Sequence, residues 1–328
     1  MAGGIISPKF VSNVCNNGLL GFIPGGYLNI QSLKEFIVTT KSLLRSNALF
    51  GVNIFIDKEQ RNIDQVFKKS LDVIKIEHLL NINFCDHFTV HSTAKEDECI
   101  DLLIQQAVPI ASCTFGFFNK YSVEKLKSNN IKIIGNATTL EEFKFCLEHG
   151  ADAVVVQGTE AGGHQASFLE DTKNIKSTLI TLEEIRKIYP HVVIIASGGI
   201  STKNMTNYFN SGANYVQLGT AFMMTYESSA TDVTKKYIMK NQHTVLTDII
   251  TGKWARGIEN SLTQHLQNNT YDFPIRHYET APLRAKAKGN SNPEYLSLWA
   301  GCNPDNLEMM SLEQLLDNIK SVFGFRKL

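Results

Sequence analysis

Short apolar runs alternate with amphipathic stretches of helical length along most of this chain. The runs typical of buried strands span residues 19–24, 50–55, 108–113, 131–135, 153–156, 192–196 and 215–218. Amphipathic stretches lie between them at residues 8–17, 32–45, 122–129, 140–149, 182–189 and 204–211. Because strands joined by helices pair in parallel through right-handed crossovers, this order predicts an α/β fold around a parallel sheet.

The length of 328 residues suits one (β/α)₈ barrel, a fold that takes about 250 residues or more. A closed barrel needs eight strands, and the sequence shows seven. Because Met1-Ala2-Gly3-Gly4 is already a glycine-rich turn that leads into a helix, the eighth strand would precede residue 1. We therefore predict a TIM-type barrel that lacks its first strand: either the chain is an N-terminally shortened form or something else closes the barrel.

Two regions depart from the alternation of strands and helices. Residues 57–106 form a long connection, in which we predict a helical insertion with helices at about 63–81 and 96–106. Beyond residue 225 the alternation is lost, and residues 251–260 and 282–301 are expected to cover the active face or pack on the barrel. The predicted organisation is a barrel over residues 1–225 and a helical C-terminal segment over residues 226–328.

Charge and cysteine content exclude several classes of protein. Lys and Arg number 32 and Asp and Glu also number 32, so the chain lacks the positive charge of proteins that bind nucleic acid or membrane surfaces. No run reaches the ~18 apolar residues of a membrane span, and no charged-then-apolar leader opens the chain. The six cysteines are scattered without a C-x-x-C pair, which indicates a reduced, cytoplasmic protein without structural zinc. The sequence leaves the oligomeric state open, a homo-oligomer included.

A glycine-rich loop with one histidine follows the strand at residues 153–156. In a (β/α)₈ barrel the chemistry takes place at the carboxyl ends of the strands, where this loop would lie. Gly162 and Gly163 allow a ligand to approach the backbone closely, and His164 can exchange a proton near neutral pH. The alternative is a histidine beside a flexible turn. We predict His164 as the catalytic residue, and its neighbours on the next two strands support that choice.

The last two predicted strands also end in glycine-rich turns. One carries Gly198 and Gly199, and the other carries Gly219 and Thr220. Barrels frequently bind phosphate with the loops after their last two strands, through backbone N–H groups and a short helix. Although glycines also serve tight turns alone, two consecutive turns at this end of a barrel favour a cofactor that carries phosphate.

Two carboxamides lie where a ligand could reach them. Asn53 interrupts an apolar run and Gln157 ends its strand. A buried amide without partners costs about 1–3 kcal/mol, so each is either satisfied by backbone or directed at a polar ligand. Two amides facing one cavity suit an uncharged heteroaromatic ring with donor and acceptor edges, such as a flavin.

Other kinds of site find little support in the sequence. There is no G-x-S-x-G elbow, no G-x-G-x-x-G fingerprint, and no third ligand in evident reach of the pair His87 and His91, so no metal site is predicted. The remaining histidines are assigned surface or structural roles; they are His78, His87, His91, His149, His191, His243, His265 and His277.

In these segments the chain resembles the class I nitronate monooxygenases (formerly 2-nitropropane dioxygenases), which are FMN-dependent TIM barrels. The resemblance covers almost the whole chain in order. It rests on residues 1–4 and 7–8 and on 17–27, 50–53, 114–116, 157–164, 196–199, 217–220, 255–257 and 297–301.

The resemblance implies oxidation of an alkyl nitronate by O₂ to a carbonyl compound and nitrite, with propionate 3-nitronate as the physiological target. His164 would remove the proton from the carbon that bears the nitro group. Residues implied to hold FMN are Asn53, Gln157, Gly162, Gly198, Gly199, Gln217, Leu218, Gly219 and Thr220.

Two departures from the family leave alternatives open. The absent strand would remove part of the FMN floor, and Gln165-Ala166-Ser167 stands where relatives often carry a basic residue and a glycine. A flavin-dependent enoyl-acyl-carrier-protein reductase or NADH:quinone reductase would share the glycine–histidine loop. An inactive barrel remnant that binds little flavin is the third reading.

Overall fold

The computed structural model describes residues 3–56, 65–82, 85–91, 93–169, 175–241, 243–267, 270–302 and 307–322. In chain order the strands are β1 Gly21–Pro24, β2 Phe50–Phe55, β3 Gln65–Lys68, β4 His87–Val90, β5 Ile110–Thr114, β6 Lys132–Ala137, β7 Ala153–Gln157, β8 Gly163–His164, β9 Ile194–Ser197, β10 Tyr215–Gln217, β11 Thr244–Thr247 and β12 Ala255–Ile258. The helices are α1 Pro8–Asn16, α2 Ile30–Leu43, α3 Leu71–Leu79, α4 Glu96–Gln105, α5 Lys120–Ser128, α6 Leu140–Glu148, α7 Thr178–Ile188, α8 Met205–Asn210, α9 Thr220–Met223, α10 Asp232–Lys240, α11 Ser261–His265, α12 Ile275–Glu279, α13 Ala281–Gly289 and α14 Leu312–Val322, with a 3₁₀ turn at Pro293–Tyr295.

Seven strands form one parallel sheet in the order β1-β2-β5-β6-β7-β9-β10, and helices surround it. Val52, Ile133, Val154 and Val156 in its middle strands are fully buried, which is why these runs are apolar throughout. The predicted α/β fold and all seven predicted strands are confirmed. In the described part of the chain β1 and β10 are not paired with each other, so the barrel is open between them.

The predicted helical insertion is wrong for part of its length. β3 and β4 pair as antiparallel strands, and α3 is the helix that follows β3, while residues 57–64 lie outside the described ranges. The strand pair is favoured because the rings of Phe67 and Phe88 stack at 5.7 Å between centroids on one of its faces. The helix predicted at 96–106 is confirmed as α4, and it packs between α2 and α5 as an ordinary barrel helix.

The C-terminal segment contains helices, as predicted, together with two strands that were not predicted. β11 and β12 pair antiparallel, and β12 pairs with β8 in the histidine loop. The helices after β12 share a core with α3 through Val73, Ile76, Leu262 and Leu283. The last helix, α14, packs on α1 and the barrel. The division of the chain at residue 225 stays a prediction.

A buried charge cluster ties α3 to α12. The Arg276 guanidinium lies 2.9 Å from Asp72 Oδ2 and 2.6 Å from Glu279 Oε2. Because each charge is partnered, burial of the cluster is tolerated, and it joins the C-terminal segment to α3. Across the described helices, none combines the length and the apolarity needed to cross a bilayer.

Candidate active site

A cavity of about 1700 Å³ runs through the barrel, from residues at the amino ends of the strands, such as Ala48, Val193 and Asn214, to their carboxyl ends. It exceeds the roughly 300–1,000 Å³ of ordinary small-molecule sites, so it can hold a large cofactor together with a small substrate. The residues that the sequence placed at the site all line this cavity: Asn53, Gln157, Gly162, His164, Gly198, Gly199, Gln217, Leu218, Gly219 and Thr220. Their individual roles stay predictions.

The histidine loop is held at both edges and is not a free turn. His164 lies in β8, opposite Ala255 of β12. On the other side Gln157 Oε1 accepts from Ala166 N at 2.7 Å, and its Nε2 donates to the His164 carbonyl at 3.3 Å. The Gln157 amide therefore supports the loop. It keeps one N–H donor and one oxygen lone pair that a ligand could use.

A buried carboxylate, Glu142, anchors the end of this loop. Glu142 Oε2 accepts from both N and Oγ1 of Thr138 at 2.7 Å. Glu142 Oε1 accepts from the backbone of Phe168 and, at 3.0 Å, from that of Leu169. One side chain thus connects α6 to the segment that follows His164.

We expect Glu142→Gln to lower the free energy of unfolding by about 1–3 kcal/mol, because an amide has only one oxygen for these donors and leaves others unsatisfied. Urea denaturation followed by circular dichroism measures the effect. Glu141→Gln, at the exposed neighbouring position, is the matched control and should change stability by less than about 0.5 kcal/mol. Equal free energies of unfolding for the two variants would show that the hydrogen bonds of Glu142 do not stabilise the fold.

Aromatic rings enclose the His164 imidazole. Its ring centroid lies 5.8 Å from Phe115, 5.4 Å from Phe273 and 5.7 Å from Trp299. His164 Nε2 lies 2.8 Å from Thr251 Oγ1. The imidazole is therefore fixed in orientation, and it is only partly exposed, toward the cavity.

Burial lowers the pKa of His164 to about 3, and the positive charges of Lys253 and Arg284 lower it further in the same direction. The imidazole is consequently neutral at physiological pH. A neutral imidazole can accept a proton, which a protonated one cannot.

His277 corrects the assignment of the other histidines to surface or structural roles, because it lines the same cavity. Its ring stacks on Tyr27 at 4.6 Å between centroids and 10° between planes. Burial, followed by the charge of Arg284, lowers the pKa of His277 to about 2. A single histidine in a segment without periodicity offers no sequence signal for this position.

Both cavity histidines should make stability depend on pH. Their folded-state pKa values, about 3 for His164 and about 2 for His277, lie below the ordinary value of 6.5. Their contribution to stability is therefore complete above pH 6.5 and is lost as the pH falls from 6.5 to about 3 for His164 and to about 2 for His277. Each contributes a slope of at most about 1.4 kcal/mol per pH unit.

Urea denaturation between about pH 7 and about pH 5 tests this dependence. The double variant His164→Asn/His277→Asn should lose stability less steeply than the wild-type chain on acidification. His191→Asn, at an exposed position, serves as the control and should keep the wild-type slope. Identical slopes in all three proteins would contradict neutral burial of the two rings.

The turn after β9 has the left-handed backbone that glycine permits. Gly198 and Gly199 have φ of 113° and 67°. Their carbonyls are held by Thr178 Oγ1 at 3.2 Å and by Asn204 Nδ2 at 2.9 Å respectively. Within the described ranges their backbone N–H groups donate to no protein acceptor, so they remain available to a ligand.

Gly162 and Gly219 have different reasons to be glycine. A Cβ on Gly162 would lie 2.5 Å from the backbone of Ala300 and Gly301. Only glycine therefore leaves room for that chain segment. A Cβ on Gly219 would meet nothing within 4 Å, because the glycine faces open space in the cavity.

Asn53 belongs to a row of polar groups across β2, β5 and β6. Its Nδ2 donates to Ser112 Oγ at 3.1 Å and to Thr114 Oγ1 at 3.0 Å, and Asn136 Nδ2 donates to the Cys113 carbonyl at 2.6 Å. Sequence reasoning missed Ser112, Thr114 and Asn136. Their only signal was a polar residue at a strand position next to apolar ones.

Comparison with known proteins places the chain in a family. A sequence model of the nitronate monooxygenase family matches residues 1–321. A probable nitronate monooxygenase of Staphylococcus saprophyticus is 32% identical, over 96% of this chain and 91% of that protein. One from Staphylococcus aureus strain JH9 is 31% identical, over 96% and 90%.

Solved structures agree with this assignment. The nitroalkane oxidase of Streptomyces ansochromogenes superposes with a TM-score of 0.86 at 27% identity, over 99% of this chain and 94% of that one. FabK of Thermotoga maritima, at 22% identity and a TM-score of 0.73 over 98% and 91%, shares the fold. With the family match over nearly its full length, this chain belongs to the nitronate monooxygenase family and is an oxidoreductase.

Proposed function

We propose that this enzyme uses FMN to oxidise alkyl nitronates with O₂, giving a carbonyl compound and nitrite, and that propionate 3-nitronate is among its substrates. The observation that carries the proposal is the placement of His164, neutral and held by Thr251, in one cavity with the amides and the glycine turns. The related nitroalkane oxidase and the family assignment support the same chemistry.

The cavity fits a flavin that carries phosphate. Both Nδ2 hydrogens of Asn53 are donated to Ser112 and Thr114, so its Oδ1 and these two hydroxyls are the groups that would partner a heteroaromatic ring. The N–H groups at Gly198 and Gly199 and the open space at Gly219 suit a phosphate. Among the described residues that line the cavity there is no Asp or Glu to repel it. FMN would supply the electron-transfer chemistry, and the chain's residues would bind and orient the reactants.

We infer that Thr251 selects the tautomer of the neutral His164 ring. Its hydroxyl lies 3.3 Å from the Lys253 carbonyl, to which it can only donate, so its oxygen accepts from His164 Nε2 at 2.8 Å. The proton of the neutral imidazole then sits on Nε2. We infer that Nδ1, which has no hydrogen-bond partner in the described part of the chain, accepts the proton from the carbon that bears the nitro group.

A nitronate differs from a nitroalkane in having lost that proton already. For nitronates the residues around His164 therefore act by orienting an anion and by excluding water with the rings of Phe115, Phe273 and Trp299. The positive charge of Lys253, which acts on His164, also stabilises negative charge on the nitronate group.

A visible spectrum followed by anaerobic mixing tests the proposal. The purified protein is expected to show flavin absorbance that propionate 3-nitronate bleaches and NADH does not. Bleaching by NADH without nitronate would instead select the enoyl-acyl-carrier-protein reductase or NADH:quinone reductase. A colourless protein that takes up no added FMN would favour the inactive remnant.

The remaining assignments belong to the same proposal. We propose a cytoplasmic enzyme whose partners are the small nitronate and O₂, without nucleic acid or membrane. Among the described residues no cluster of three His, Cys, Asp or Glu side chains is placed to hold a metal ion. Size-exclusion chromatography with light scattering would decide whether it forms a homo-oligomer.

A further inference from the structure

We propose that Arg284 binds a carboxylate on the substrate, so that the enzyme selects nitronates that carry a second negative charge. The inference rests on the proposed function, because it names the residue that binds the other end of the same nitronate substrate. It concerns selectivity between nitronates and leaves the base at His164 unchanged.

Among the residues that the structure describes, none gives Arg284 an anionic partner inside the cavity. Its Nη2 donates to the His277 carbonyl at 2.6 Å and lies 3.4 Å from His277 Nδ1, and both acceptors are uncharged. Its Nε is buried without a hydrogen-bond partner, and no carboxylate of the described residues lies within ion-pair distance of the guanidinium. Because an unpaired buried charge is costly, the arrangement calls for an anionic ligand.

The other charged residues of the cavity lining lie elsewhere. Of the described lining residues Arg284, Lys288 and Lys320 carry charge, all of it positive. Lys288 is exposed one turn further along α13, and Lys320 donates to Asn17 Oδ1 at 3.2 Å beside α1. Arg284 is therefore the charged lining residue at the substrate end of the cavity. Lys253, which is not among the lining residues, lies over the Phe115 ring at 5.1 Å.

An aromatic row separates this cation from the base. The Phe273 ring lies 5.4 Å from the His164 ring and 6.4 Å from the His277 ring, and Arg284 is bonded to His277. A nitronate whose reacting carbon lies at His164 would extend its tail along this row toward Arg284. The fork of the guanidinium matches a carboxylate with two parallel hydrogen bonds.

Substrate pairs that differ only in the tail test the proposal. Propionate 3-nitronate carries the carboxylate, and propyl-1-nitronate lacks it. In Arg284→Met the ratio of kcat/KM for the first substrate to that for the second should fall about 10- to 100-fold, as expected for a lost charged hydrogen bond. Lys286→Met removes a positive charge from an exposed position of the same helix and should keep the wild-type ratio.

Two further measurements separate binding from folding. Arg284→Lys should restore part of the ratio, because it keeps the charge without the fork. Succinate, which has two carboxylates and no nitronate, should perturb the flavin spectrum of the wild type at concentrations about tenfold lower than in Arg284→Met.

Three outcomes would overturn the proposal about Arg284. An equal loss on both nitronates in Arg284→Met would mean that Arg284 acts on the nitronate group, the cofactor or the fold. An unchanged ratio would mean that it contacts no carboxylate, and the same ratio in Lys286→Met as in Arg284→Met would assign the effect to net charge. Failure of the wild-type enzyme to oxidise either nitronate would instead overturn the proposed function.

Discussion

Replacing His164 by asparagine is expected to lower kcat/KM for neutral nitroalkanes by about 100-fold or more, because a positioned general base contributes 10²–10⁴. Turnover of the corresponding nitronates should fall by less than about tenfold, since their proton is already gone. FMN should stay bound, because the residues implied to hold it are untouched. Oxygen consumption with nitroethane and with ethyl nitronate measures the two effects.

The control for this prediction is another histidine with a hydrogen bond. His265→Asn replaces a ring in α11 whose Nδ1 lies 2.9 Å from the Tyr295 hydroxyl, and His265 does not line the cavity. It should leave both activities within about twofold of the wild type. If His164→Asn reduced both substrates equally, the residue would position reactants and would not act as the base.

The strands of the sheet could be predicted from the sequence because each strand is marked by the pattern of its own few residues. A parallel strand covered on both faces is a short apolar run, and the strands β5, β7 and β9 all show one. The carboxyl ends of parallel strands converge, so predicting the strands also brought His164, Gly198 and Gly219 to one place. Each of these residues lines the cavity.

The parts that sequence reasoning missed depend on contacts between distant segments. Thr251 is 87 residues from His164, and nothing near either residue indicates their hydrogen bond. Arg284 and His277 line the cavity although they belong to the C-terminal segment, which packs against α3 through Asp72 and Arg276. Local periodicity carries no information about that packing, and the strand pair β3 and β4 was missed for the same reason.

Placing a carboxylate at Gly219 is expected to raise the Kd for FMN by about 100-fold or more. Gly219 has φ −111° and open space where a Cβ would lie, so Gly219→Asp needs no backbone change. If the phosphate lies at this turn, like charges about 4 Å apart near a protein surface repel by about 4 kcal/mol. Fluorescence titration of the protein with FMN measures the change.

Gly219→Asn is the matched control, because asparagine has the size of aspartate without its charge. It should raise the Kd for FMN by less than about tenfold, so that the difference between the two variants isolates the charge. Riboflavin, which has no phosphate, should bind both variants alike. If aspartate and asparagine weakened FMN equally, the turn would be sterically closed and the phosphate would lie elsewhere. If Gly219→Asp weakened riboflavin as much as FMN, the carboxylate would act on the ring, and the case for a cofactor that ends in a phosphate at this turn would fail.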